Sequence, residues 1–228
     1  MRVNNKHWII NLLVIIYFIN ALLEILAESI SSKPIIYITK PLIPFFLMVL
    51  YFINSAKRDY IFFLIMIFSL ITNLLFIPNS QELLYYGVIS FTVHRIFLVI
   101  LIFKIIKIKD YIPFFLATLP LGFIFFYLFL ESDVPKNSYY LIVFHNLIAA
   151  ILGGIAISNY IMNDTKQNSL LLISVLLFLG LQLVIYIEKY YLAESHSLFL
   201  RPLAMTLNIF AFYAFYKFVI SSEKLDHD

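Results

Sequence analysis

Apolar runs of about twenty residues recur from one end of the chain to the other, and the polar links between them are too short to hold a domain. No motif restricts the fold as strongly as this pattern does. A helix needs roughly 20 apolar residues to cross about 30 Å of hydrocarbon, and inside lipid only helices and closed barrels satisfy their own backbone groups. The runs predict eight helical spans, at residues 8–27, 35–54, 60–78, 84–106, 111–130, 139–161, 169–188 and 200–220. Links such as Ser55–Asp59 and Glu131–Ser138 make successive helices antiparallel neighbours. The expected fold is therefore an all-α polytopic transmembrane bundle, one integral membrane domain over residues 1–228. Pro113 and Pro120 are expected to kink the fifth span.

Composition closes off the alternatives. Hydrophobic residues make up 63% of the chain and charged residues 13%, with a mean hydropathy of +0.96. Soluble domains carry about 25% charged residues, so this chain lacks the polar surface to coat a water-soluble globule. The first run is too long for a cleaved signal peptide and lacks its small-residue exit, which predicts a retained span. With no cysteine, disulfides and thiolate metal sites are excluded. The net charge of +3 sits mostly in the links and reports topology; nucleic acid is not an expected partner.

Ten Lys and Arg residues fall on the side of the N-terminus: Arg2, Lys6, Lys57, Arg58, Lys104, Lys107, Lys109, Lys166, Lys217 and Lys224. Four fall on the other side: Lys33, Lys136, Lys189 and Arg201. The positive-inside rule then places both termini in the cytoplasm, in agreement with an even number of spans. Tyrosines near span ends, including Tyr85, Tyr86, Tyr139, Tyr140, Tyr190 and Tyr191, fit interfacial belts. In span six, Ala149, Ala150, Gly153 and Gly154 form overlapping pairs of small residues that permit close helix approach. The plainer consequence is packing within the bundle; the sharper one is a homo-oligomer through that face.

Polar side chains within a span are costly, and each is a functional candidate. They are Glu24, Lys40, Asn73, His94, Arg95, His145, Asn146, Gln182, Glu188 and Asn208. Their depths carry the argument. Glu24 lies within a turn of the outer end of span one, and Lys40 about five residues, or about 8 Å, below the outer end of span two. Asn73, Gln182 and His145 lie five or six residues below the outer ends of their spans, and His94 about ten. This clustering predicts a polar pocket opening toward the non-cytoplasmic leaflet. Lys40, Glu24 and Glu188 are also close enough to the interface to snorkel, and Asn73 and Gln182 are equally suited to interhelical hydrogen bonds, worth about 0.6 kcal/mol each. Arg95 stands near mid-membrane, where an arginine costs about 2.5 kcal/mol or more. It calls for a partner, and Glu24, Glu188 or a lipid phosphate would serve. His94 shares a helix face with Gly87 and Phe91, beside a close helix contact. Phosphate-binding loops, nucleophile elbows and paired-histidine metal motifs are absent, and the sequence calls for no metal and no cofactor.

At these positions the chain resembles the YhhN family of membrane proteins, which includes the lysoplasmalogenases. Thr39-Lys40-Pro41-Leu42 resembles the family's K-P-L signature, and Phe68-Ser69-Leu70-Ile71-Thr72-Asn73 its F-S-L-x-G-D segment. Gly87, Phe91 and His94 resemble a G…F…H run, and Leu177-Phe178 with Leu181-Gln182 an L-F-x-x-S-D segment. The resemblance spans nearly the whole chain and implies eight spans, a bacterial inner membrane, and hydrolysis of the vinyl-ether bond of lysolipids. It also implies carboxylates where Asn73 and Gln182 stand. That chemistry needs an acid to protonate the enol ether and a base to direct water, and an amide exchanges no proton near neutral pH. The implied catalytic set is Asn73 and Gln182, with His94, Glu24 and Glu188 as substitutes; Lys40, Arg95, His145 and Asn146 would bind a single-chain phospholipid or ether lipid. The other expectation is a non-catalytic lipid-binding or scaffold protein that has lost the family's acids. A transporter ranks third, because no internal repeat or paired broken helices are evident.

Overall fold

Four helix starts are fixed by a polar side chain just ahead of the apolar run. Asp59, Ser80, Asp110 and Thr165 accept hydrogen bonds from the backbone N–H groups of Ile61, Leu83, Ile112 and Asn168, which satisfies donors that the helix itself leaves open. In the computed structural model, which describes residues 2–78, 80–106, 110–132, 134–188 and 199–225, eight α-helices follow. They are α1 (Arg2–Ser29), α2 (Lys33–Asn54), α3 (Tyr60–Phe76), α4 (Gln81–Ile105), α5 (Tyr111–Leu130), α6 (Tyr139–Met162), α7 (Lys166–Tyr186) and α8 (Leu200–Leu225). A short 3-10 turn, Lys136–Ser138, leads into α6. Each expected span overlaps one of these helices. Seven are long and apolar enough to cross a membrane; α3, with 17 residues, is the shorter one. The protein is a multi-pass all-α membrane bundle.

Pro113 falls in the first turn of α5, where its missing N–H costs nothing. Pro120 lies inside, yet α5 is assigned as one unbroken helix. Lys107, Lys109, Lys189, Tyr190 and Tyr191, which entered the topology and belt arguments, lie outside the described residues.

Helix neighbours define a ring in the order α1, α2, α3, α4, α6, α7, α8 and back to α1, with α2 also touching α8 across the middle. Outside this ring, α5 leans on α6, and its Phe115, Leu116, Leu119, Phe123, Phe126 and Tyr127 remain exposed for lipid. The small residues of α6 are the reason α5 sits so close. A Cβ at Gly154 would overlap Thr118 and approach the Phe114 carbonyl, both on α5, and a Cβ at Gly153 would overlap Leu121 of α5 and meet Leu179 of α7. Ala149 and Ala150 are fully buried as well. Helices of the same chain cover this face, which is the packing within the bundle that its small residues permit.

At the end of the bundle that holds the termini, Glu223 of α8 accepts from the Tyr51 hydroxyl at 2.7 Å, the Ser55 hydroxyl at 2.8 Å and the Ala56 N–H at 3.0 Å. This buried carboxylate clamps the α2–α3 link to α8. The opposite end holds the cavity.

Candidate functional site

The helix ends opposite the termini, together with the link that precedes α6, line a cavity of about 330 Å³. Its polar lining includes Glu28 of α1, Lys40 of α2, His145 of α6, Gln182 and Glu188 from the end of α7, and Arg201 of α8. Its apolar walls include Phe76, Leu84, Val88, Phe91, Ile142 and Met205. Gly87 lets the end of α3 press on α4 at this point, since a Cβ there would overlap the Phe76 ring.

Lys40 Nζ pairs with Glu28 Oε1 at 2.6 Å, and both residues are buried. The expectation that Lys40 snorkels is corrected by this pair. Glu188 Oε1 accepts from Arg201 Nε at 2.8 Å, a partly exposed pair. His145 Nδ1 lies 3.1 Å from Thr92 Oγ1, and the Thr92 hydroxyl donates to the Val88 carbonyl at 2.7 Å. With the hydroxyl proton spent on Val88, this network assigns the imidazole proton to Nδ1 and leaves Nε2 as the acceptor.

Asn73 does not line the cavity. Its Nδ2 donates to the Lys40 carbonyl at 3.1 Å, and the reason is local. Within α2 that carbonyl would pair with the N–H of residue 44, but residue 44 is proline and has none. An interhelical donor is required to satisfy a buried carbonyl, and an ionised carboxylate at 73 would supply only acceptors. Gln182 Nε2 donates to Asn146 Oδ1 at 2.6 Å, so these two candidates meet each other, with Gln182 alone facing the cavity. Asn146 Nδ2 is also within 3.5 Å of the Phe125 carbonyl and the Tyr186 hydroxyl.

Glu24 is fully buried, with the Thr39 hydroxyl donating to it, and it neither snorkels nor reaches the cavity. His94 and Arg95 are 0% and 1% exposed and lie behind the cavity wall. The His94 ring stacks on Phe91 at 5.4 Å and meets the edge of Phe212 at the same distance. Arg95 Cζ sits 4.9 Å from the centre of the same Phe91 ring. Among the described residues neither Nη atom of Arg95 nor either ring nitrogen of His94 has a hydrogen-bond partner. The expected pairing of Arg95 with Glu24 or Glu188 is corrected: Thr39 and Arg201 hold those carboxylates.

Of the sequence candidates, then, Lys40, His145, Gln182 and Glu188 share the cavity, while Asn73, Glu24, His94, Arg95 and Asn146 stand around it. Glu28 and Phe91 were missed as site residues. Glu28 lies four residues after Glu24, on the same helix face and just past the apolar run, and that spacing was the available signal. Chemically, the site offers two opposed charge pairs, one imidazole acceptor and apolar walls. Fold and site together define a multi-pass helical membrane protein with an amphipathic cavity at the end opposite its termini. Comparison with protein-family models, curated proteins and solved structures finds no match to this chain.

Proposed function

We propose that this protein captures a single-chain amphiphile, with the polar headgroup among the charge pairs and the hydrocarbon against the aromatic and aliphatic wall. The observation that carries the reading is the convergence of Glu28–Lys40 and Glu188–Arg201 on one largely apolar cavity. Two carboxylates and two cations can exchange partners with a zwitterionic headgroup, so that each charge keeps a counter-charge when the headgroup enters. A volume of about 330 Å³ lies at the lower end of the range for small-molecule sites, about 300–1,000 Å³, which suits one chain and disfavours two. On the charge bias of the links, both termini face the cytoplasm and the cavity faces the outer leaflet of a bacterial inner membrane.

The expected result is retention of one lysophosphatidylcholine per chain in native mass spectrometry, with a diacyl phosphatidylcholine of the same headgroup retained far less. Equal retention of the two lipids, or of neither, would count against the reading.

A second reading is favoured by one observation. The Lys40–Glu28 pair and His145 border the same cavity, and the Lys40 ammonium and the His145 imidazole offer a proton donor and a proton acceptor, as cleavage of a vinyl ether requires. On the resemblance to the YhhN family, the amphiphile would be a lysoplasmalogen, hydrolysed to an aldehyde and a glycerophospho-base. Aldehyde release by the wild type, lost in His145→Gln and not restored by Asn73→Asp with Gln182→Asp, is the expected outcome of this reading. A silent wild type removes hydrolysis and leaves capture, the function of a binding or scaffold protein.

A further inference from the structure

Behind Phe91 in the cavity wall lie two buried groups, His94 and Arg95, with unpartnered nitrogens among the described residues. One side of the Phe91 neighbourhood is the cavity, with His145 at 5.2 Å from its ring. On its other contacts are the His94 ring, stacked at 5.4 Å, and the Arg95 guanidinium at 4.9 Å. The ring is half-buried, whereas His94 and Arg95 are shut off from solvent. Among the described residues both Nη groups of Arg95 lack an acceptor, although a guanidinium is a planar fork built to grip two oxygens at once. A neutral His94 adds one N–H donor beside that fork, whichever tautomer it takes. Neither Glu28 nor Glu188 serves Arg95, because Lys40 and Arg201 engage them.

We propose that Phe91 is a movable partition, and that swinging it aside joins the cavity to a phosphate subsite made by Arg95 and His94. The inference rests on the cavity being an amphiphile site and names the headgroup chemistry it selects. An aromatic ring over a guanidinium attracts the charge but accepts none of its N–H groups in line, and a phosphate offering oxygens to both Nη groups replaces it with charge-assisted hydrogen bonds. The phosphate belongs to a lysolipid headgroup or is free in solution, and the chemistry of capture is the same for both.

Calorimetric titration in detergent separates these cases with three probes: lysophosphatidate, a monoacylglycerol of the same chain, and inorganic phosphate. Wild type is expected to bind lysophosphatidate at least about 10-fold more tightly than monoacylglycerol, as hydrogen bonds to a charged group imply. Arg95→Met is expected to erase that preference without weakening monoacylglycerol, and Arg95→Lys to retain part of it. Phe91→Ala leaves the subsite open and is expected to widen the preference; a mere wall residue would weaken both amphiphiles alike. Arg95→Met should also fold at least as stably as wild type, because it removes a buried cation whose Nη atoms have no acceptor among the described residues; failure of that variant to fold counts against the proposal. Equal binding of the two amphiphiles by wild type, unchanged in Arg95→Met, overturns the subsite and leaves the amphiphile cavity standing. If wild type binds neither amphiphile, the cavity reading fails. Heat from inorganic phosphate that disappears in Arg95→Met then supports the subsite alone, and its absence overturns that as well.

Discussion

Lys40→Met is expected to destabilise the bundle by about 3–5 kcal/mol, the usual consequence of stripping one partner from a buried ion pair. Glu28 would be left with its carboxylate in a wall that is otherwise largely apolar, 2.6 Å from where its counter-charge stood. The double variant Glu28→Gln with Lys40→Met removes both charges and is expected to recover most of the loss, because an apolar or neutral replacement of a buried pair is often close to neutral. Unfolding in detergent, followed for wild type, both single variants and the double variant, gives the coupling directly. Additive losses across the four proteins would mean that the two charges act independently and that the pair does not brace α1 against α2.

Gly154→Leu is expected to cost about 3 kcal/mol, the upper end of the range for overpacking. Its side chain would have to occupy the space of Thr118 and lies against a backbone carbonyl, that of Phe114, at 3.2 Å from the Cβ position. A flexible side chain can move aside, but the backbone of α5 can yield only by moving the whole helix. Since α6 is the main neighbour of α5, displacement of α5 is the expected structural result. Gly122→Ala provides the control, since its Cβ would meet Ala150 at an ordinary 3.9 Å and should stabilise α5 by about 0.5–1 kcal/mol, the helix-propensity gain of alanine over glycine. The chain has no cysteine, so an engineered cysteine pair across α5 and α6 reports their separation without background. A change in oligomeric state with α5 undisturbed would restore the small-residue face as an interface between copies.

These two sites also show how far the fold can be read from the chain. Eight helices follow from the apolar runs because the hydrocarbon thickness sets their length. Their ends do not: Ser80 and Thr165 start α4 and α7 a few residues before the apolar runs begin, and hydropathy does not register a cap. Ring order and the outlying place of α5 depend on which side chains fit together, and only the glycines of α6 hinted at one such contact. The clustering of polar groups toward one end was legible because helix geometry converts residue number to depth. Which of them meet was not. Asn73 appeared as a lost carboxylate, yet its amide answers the carbonyl that Pro44 leaves open in a different helix. Glu28 fell outside the expected span and so escaped the search for membrane charges, although it is the partner of Lys40. The sequence asks for a partner to Arg95, and the guanidinium stands over an aromatic ring, with Glu24 and Glu188 engaged elsewhere.

The most direct test of the account is to fill the cavity. Val88 borders it from α4, and Val88→Trp would place an indole where the amphiphile is proposed to lie. Native mass spectrometry with lysophosphatidylcholine, run on wild type and on a folded Val88→Trp, is expected to show one bound lipid on the first and none on the second. Equal retention by both proteins would contradict the account, because the lipid would then be held on the outside of the bundle and not in the cavity.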